Sequence, residues 1–253
     1  MKRWRGLVRK EWALMKWGIV PLALLNGALV FLAINHTFYG LLESLIVDIK
    51  FVIGFGFLLH MLASVSWFLD SLNKEMKRPD IWLHSPTSMW RLIGAKVVFI
   101  TMIIGCSVLL CGTIVGVAHY MDGGKASIVE GLVLLFSVAV VIVLNAIYVM
   151  AVVFFFWSIF QVFRSRIDWF FSVIIMFAIF IIWAYVWGMI WFTDVFQTVK
   201  EIGPLNGTMP MMEINYIVPG VAILTIGNLV LHGVMTVIYF VVGSTLFEKK
   251  VRL

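Results

Sequence analysis

Long unbroken apolar runs constrain this chain more than any other feature. They cover residues 17–38, 45–69, 92–120, 128–160 and 169–192, and a sixth ends near Phe247 and starts between Tyr216 and Asn228. A helix needs about 20 such residues to cross about 30 Å of hydrocarbon. The runs are continuous and do not alternate with period two, so they predict helices and not barrel strands. Composition agrees: 62% of the 253 residues are hydrophobic and 13% charged. A soluble domain has about 45–50% and about 25%, and no soluble fold could bury the excess. The expected fold class is all-α. One transmembrane domain of six helices should fill 1–253.

The formal net charge of +6 suggests nucleic acid in a soluble protein. Here the cations stand at the ends of apolar runs, so their first meaning is topological. Lys2, Arg3, Arg5, Arg9, Lys10 and Lys16 precede the first run. Lys74, Lys77, Arg78, Arg91 and Lys96 join the second to the third. Arg164 and Arg166 join the fourth to the fifth, and Lys249, Lys250 and Arg252 follow the sixth. Sixteen cations thus fall on one side, with Lys50, Lys125 and Lys200 on the other. The positive-inside rule then puts both termini in the cytoplasm of a multi-pass cell-membrane protein. No cleavable signal peptide is expected, because the first run is long and lacks a small-residue cleavage site.

Three segments fall outside simple spans. In 1–16, Trp4, Leu7, Val8, Trp12, Leu14 and Met15 gather on one side of a helical wheel, with the cations opposite. That pattern predicts an amphipathic helix in the inner interface. Glu11 breaks it, lying within the apolar arc. Either it faces protein and pairs with a cation such as Lys74, Lys77 or Arg78, or it reaches back to water.

Segment 70–91 is the sizeable cytoplasmic loop. Ser85-Pro86 should start a helix, with Ser85 as N-cap and Pro86 in the first position, running straight into the third span. Trp82 and Leu83 either join an aromatic belt or insert into a partner's groove. Segment 193–227 is the longest outward loop. It holds Pro204, Pro210 and Pro219, so one helix cannot pass through it. Residues 228–247 already suffice for a crossing, and the apolar surplus before them predicts a re-entrant outer element.

No catalytic constellation stands out, and an enzyme is not expected. The chain lacks a phosphate-binding Gly-x-x-x-x-Gly-Lys-Ser/Thr loop, a His-Glu-x-x-His zinc motif and a Gly-x-Ser-x-Gly elbow. It also lacks a Thr-Val-Gly-Tyr-Gly potassium filter. No metal site or cofactor is expected. Cys106 and Cys111 point about 140° apart on a helix, which suggests buried structural thiols.

Polar residues do interrupt the spans. His60 lies in the second and Asn145 in the fourth, while Asn228 and His232 share one face of the sixth. Interhelical hydrogen bonds account for such residues most simply, and a substrate path through Asn145, Asn228 and His232 is the sharper reading. Gly105, Gly112 and Gly116 fit close helix packing, inside the bundle or at a dimer seam. Aromatic residues crowd the fifth span, where Trp169 and Trp191 suit the two interfaces.

This ordering of parts resembles the membrane subunits of ABC-2-type exporters, the type V ABC transporter architecture. The matching stretches are Leu7-Val8-Arg9-Lys10-Glu11, Leu83-His84-Ser85-Pro86-Thr87-Ser88 with Gly94-Ala95-Lys96, and Leu246-Phe247-Glu248-Lys249-Lys250-Val251. Within that family the chain looks most like small Gram-positive permeases that handle peptides or antibiotics. The resemblance implies a cytoplasmic ATPase subunit, carrying ATP and magnesium, that grips Glu11, Trp82, Leu83, His84, Ser85 and Pro86. It also implies a second permease copy. The function so expected is ATP-driven export of an amphipathic peptide, antibiotic or lipid-like molecule. A stand-alone secondary transporter or channel is one rival. A non-transporting immunity or scaffold protein is another.

Overall fold

A computed structural model describes residues 2–39, 49–77, 88–121, 128–203 and 225–250. Among these residues there are helices and no strand. Helix α1 spans Lys2–Met15, and a 3-10 turn over Lys16–Gly18 leads into α2, Ile19–Tyr39. Then come α3 (Ile49–Met76), α4 (Met89–Met121), α5 (Ile128–Arg164), α6 (Trp169–Trp191), α7 (Asp194–Glu201) and α8 (Ile226–Lys250). Six helical segments are long and apolar enough to cross a membrane, and they mark a multi-pass membrane protein. The first of them starts at Gly6, inside α1, and ends at Leu32.

Local chemistry sets the helix ends. Pro21 falls in the first turn of α2, where the N–H it lacks would have no partner. Gly18 sits where the Trp67 indole of α3 occupies the space a Cβ would need. Between α5 and α6 the chain turns in four residues, 165–168, with the N–H groups of Arg166 and Ile167 both 2.9 Å from Phe163 O. Asp168, at φ −59° and ψ 154°, starts α6.

Three boundaries differ from expectation. Helix α3 continues about two turns past Leu69, to Met76, so helix occupies the start of segment 70–91. Helix α4 begins at Met89 with Ser88 outside it, so no unbroken helix runs from Pro86 into the third span. Serine favours the position just before a helix, and Ser88 stands there. Ser85, Pro86 and Thr87 lie outside the described residues. Helix α5 runs about a turn beyond Phe160, to Arg164.

The chain divides into two compact units. The first contains α1 to α3, most of α4 and the first half of α5. Phe68, Leu72, Ile93, Ile100 and Ile104 are fully buried there. The second contains the rest of α5 with α6 to α8, around Met150, Phe154 and Phe247. Gly243 brings α8 against α5, where a Cβ would lie 3.0 Å from the Phe154 ring. Helix α6 has Ser172 as its only buried residue, consistent with a helix whose surface is left to lipid.

Candidate functional site

The strongest polar construction lies in the first unit, where α1 meets α3 and α4. Glu11 is 2% exposed, Ser71 and Lys96 are fully buried, and Glu75 is 8% exposed. Lys96 Nζ lies 2.9 Å from Glu11 Oε1 and 3.1 Å from Glu75 Oε1. It also donates to Ser71 Oγ. Two of the ammonium hydrogens therefore have acceptors, and the Glu75 carboxylate adds a second close counter-charge, as a buried cation requires. The Ser71 hydroxyl passes the polarity on, donating to Glu11 Oε2 at 2.8 Å. Lys10, half exposed, closes the cluster by pairing with Glu75 Oε1. Two carboxylates thus meet two ammonium groups, and the buried charge is balanced. Glu75 Oε2 is buried without a hydrogen-bond partner among the described residues.

These contacts decide the orientation of α1. Glu11 and Met15 face inward, and Trp12 is 52% exposed with its ring edge-on to Phe99 at 6.2 Å. Glu11 faces protein, and its cation is Lys96. Lys74 instead pairs with Asp70 at 2.6 Å and donates to Leu14 O. Arg78, Trp82, Leu83, His84, Ser85 and Pro86 lie outside the described residues.

A second polar group joins α2, α3 and α4. Asn26 Nδ2 donates to Ser107 Oγ at 2.9 Å. Ser107 Oγ lies 3.2 Å from His60 Nε2, and His60 Nδ1 lies 2.6 Å from Gly56 O. If His60 Nδ1 carries the proton, every step has one donor and one acceptor. The direction then runs from Asn26 through Ser107 and His60 to the α3 backbone. Ser107 and Asn26 were not singled out in the sequence, because serine and asparagine are unremarkable until a partner is known.

Other expected residues fall in separate places. Asn145 donates to Val141 O of its own helix at 2.9 Å, in place of an interhelical bond. It belongs to the first unit, and Asn228 and His232 belong to the second. Asn228 donates its N–H to Thr225 Oγ1 at 3.1 Å, which caps α8, while its buried side-chain Oδ1 has no hydrogen-bond partner among the described residues. Gly105 and Gly112 both lie against α5, where a Cβ would meet Val143 Cγ2 and Leu135 Cδ1 respectively. Gly116 lies in α4, but the surroundings of that position are outside the described residues. Cys106 is an exposed free thiol and Cys111 a half-buried one, which corrects the expectation of buried thiols. Cys106 shares its helix face with exposed Met102, Leu109 and Leu110. No metal-binding cluster occurs among the described residues.

In the second unit the aromatic residues of α5, α6 and α8 form a continuous stack. Trp183 Nε1 donates to Tyr239 Oη at 3.1 Å. Tyr148 meets His232 edge-on at 4.8 Å, and His232 meets Trp191 at 5.9 Å. Tyr148, Trp187, Trp191, Phe196, Leu231, His232 and Met235 line a shallow recess with no enclosed room for a water-sized group. Lys200 of α7 places its ammonium 3.5 Å from the Trp191 ring centre. Partial burial lowers the Lys200 pKa below the ordinary lysine value.

Backbone bonds hold α7 against the start of α8. Ile226 N–H donates to Gly203 O and Gly227 N–H to Ile202 O, both at 3.0 Å. Thr225 Oγ1 donates to Lys200 O. Gly203 has φ 66°, and a Cβ on Gly227 would run into Val199 O, so both glycines are required by the geometry. The two ends of segment 204–224 are thereby pinned together.

No family model, curated protein or solved structure matches the chain.

Proposed function

We propose that the chain is the permease subunit of an ATP-driven exporter with ABC-2-type organisation. It would work as a dimer in the cell membrane and take its energy from a separate ATPase chain. In this reading both termini and segment 70–91 are cytoplasmic, and the uneven distribution of cations supports it. Helix α1 is an interfacial connecting helix, and 193–227 holds a re-entrant outer element. The pinned ends of 204–224 suit such an element, because it leaves and returns at one point.

The observation that carries the reading is the buried Lys96 cluster. It ties α1 to the last turn of α3 and the first turns of α4, the two helices that flank 77–88. Such a join would pass a push on segment 70–91 into three helices at once. A charge cluster this deep is costly to bury, which favours a mechanical role over a purely stabilising one. The cargo is an amphipathic molecule, for which the exposed apolar length of α6 offers a path.

The test is reconstitution with candidate ABC ATPase subunits from the same genome. ATP hydrolysis should depend on the permease and be stimulated by cargo. The double variant Trp82→Ala, Leu83→Ala should abolish the association. Transport that persists without any ATPase, driven by an ion gradient, would overturn the reading.

A further inference from the structure

The turn from α5 into α6 carries two arginines without a counter-charge. Arg164 ends α5 and Arg166 stands in the turn, and both are exposed. The turn satisfies its other polar groups locally. The Ser165 N–H goes to Gln161 O, the N–H groups of Arg166 and Ile167 go to Phe163 O, and Ser165 Oγ donates to Val162 O. Neither guanidinium has an ion pair among the described residues, whereas Lys10, Lys74 and Lys96 each hold a carboxylate. Asp168, the one carboxylate of the turn, is exposed and pairs with neither arginine. A guanidinium is a planar fork that suits phosphate oxygens.

An apolar column begins where the turn ends. Phe170, Val173, Ile174, Phe177 and Ile181 recur at helical spacing on one face of α6, and all are exposed. From Phe170 to Ile181 the helix rises about 16 Å, at about 1.5 Å per residue. One leaflet of hydrocarbon is about 15 Å deep, half of about 30 Å, so the column is as long as an acyl layer is thick. Trp169, also exposed, stands at the boundary, where indoles collect among headgroups. Only residues 165–168 separate the two spans. So short a turn keeps the arginines at headgroup level and does not carry them out toward a protein in solution.

We propose that the α5–α6 turn is a binding site for an anionic phospholipid. Arg164 and Arg166 take the phosphate, and an acyl chain lies along the Phe170–Ile181 face. A zwitterionic lipid offers the same chains but brings a cation of its own to the arginines. The inference goes beyond the exporter reading and does not depend on it, because it needs only that α5 and α6 cross the membrane.

The test uses the full chain with Cys106→Ala, Cys111→Ala and Val173→Cys, labelled with bimane at position 173. It is reconstituted in equal mixtures of phosphatidylglycerol and phosphatidylcholine, with bromine on the chains of one or the other. Quenching then reports which lipid lies against the first turns of α6. Phosphatidylglycerol should be favoured about fivefold at low salt, as one net cation at an anionic surface gives. The preference should shrink at high salt. Arg164→Gln with Arg166→Gln should bring it close to one, with the thermal midpoint unchanged because both side chains are exposed. Arg9→Gln, on α1, should leave the preference nearly as it was. Equal quenching by the two lipids in the parent overturns the site and leaves the arginines to an acidic protein surface. A preference that survives the loss of both arginines overturns it too. So does an equal loss in Arg9→Gln, since the attraction would then belong to the net charge of the chain and not to the turn.

Discussion

The ammonium of Lys96, on a fully buried side chain, lies 2.9 Å from the carboxylate of Glu11, 85 residues earlier in the chain. Because Lys96 also serves Glu75 and Ser71, its loss should cost more than the loss of either carboxylate. Lys96→Met strands Glu11 and leaves Glu75 with Lys10 alone. We expect a destabilisation of about 3–5 kcal/mol, read as a fall in thermal midpoint in detergent. Glu11→Gln should cost less. The exchange Glu11→Lys with Lys96→Glu should recover part of the loss, whereas an exchange with Lys74 should recover none. Equal rescue by both exchanges would refute the assignment of partners.

The Ser107 hydroxyl serves two helices at once. Ser107→Ala should cost about 1 kcal/mol, because Asn26 and His60 both lose their partner while the bilayer offers no water in exchange. Asn145→Leu should cost less, since that side chain bonds only to its own helix. Denaturation in mixed micelles ranks the two. A larger loss from Asn145→Leu contradicts this placement.

Gly105 and Gly112 look alike in the sequence but differ in space. A methyl on Gly105 meets Val143 at an ordinary 3.5 Å, whereas one on Gly112 overlaps Leu135. Gly105→Ala should leave the thermal midpoint nearly unchanged. Gly112→Val should destabilise by about 1–3 kcal/mol through overpacking. Adding Leu135→Ala to Gly112→Val should restore part of the loss.

Lys200 should leave a signature in alkali. Its pKa is lowered by burial from the ordinary 10.5, so the folded state disfavours the charged form. Between the lowered value and 10.5 the unfolded chain binds more protons. Stability should therefore rise with pH through that window, and below it the penalty is fully present. The difference in thermal midpoint between the parent and Lys200→Met, followed from neutral pH into alkali, measures this. A difference that does not change with pH would remove the shift.

The apolar runs made the six long helices legible, because hydrophobic length alone decides which segments can cross a bilayer. Helix ends were less legible, since they rest on single residues such as Ser88 and Asp168. The partner of Glu11 was hidden for a different reason. Lys96 was counted with the flanking cations, although it lies four residues inside an apolar run that starts at Leu92. A carboxylate in an apolar arc and an ammonium in an apolar run are two misfits that answer each other, and that signal was present in the sequence. The recess at Trp191 carried no such signal. Its residues come from α5, α6, α7 and α8, and the turn from α6 into α7 brings Lys200 over the Trp191 ring.

The buried cluster also imposes an order of assembly on a growing chain. Both carboxylates, on α1 and α3, leave the ribosome before the ammonium on α4. Until α4 arrives, Glu11 has the Ser71 hydroxyl and Glu75 has Lys10, and the cation shared by both carboxylates is missing. Lys96, by contrast, enters the bilayer with its receptors already made. A polypeptide cut short before α4 would lack the cation that joins Glu11 to Glu75, and with it the tie between α1 and α3 that the Lys96 ammonium makes.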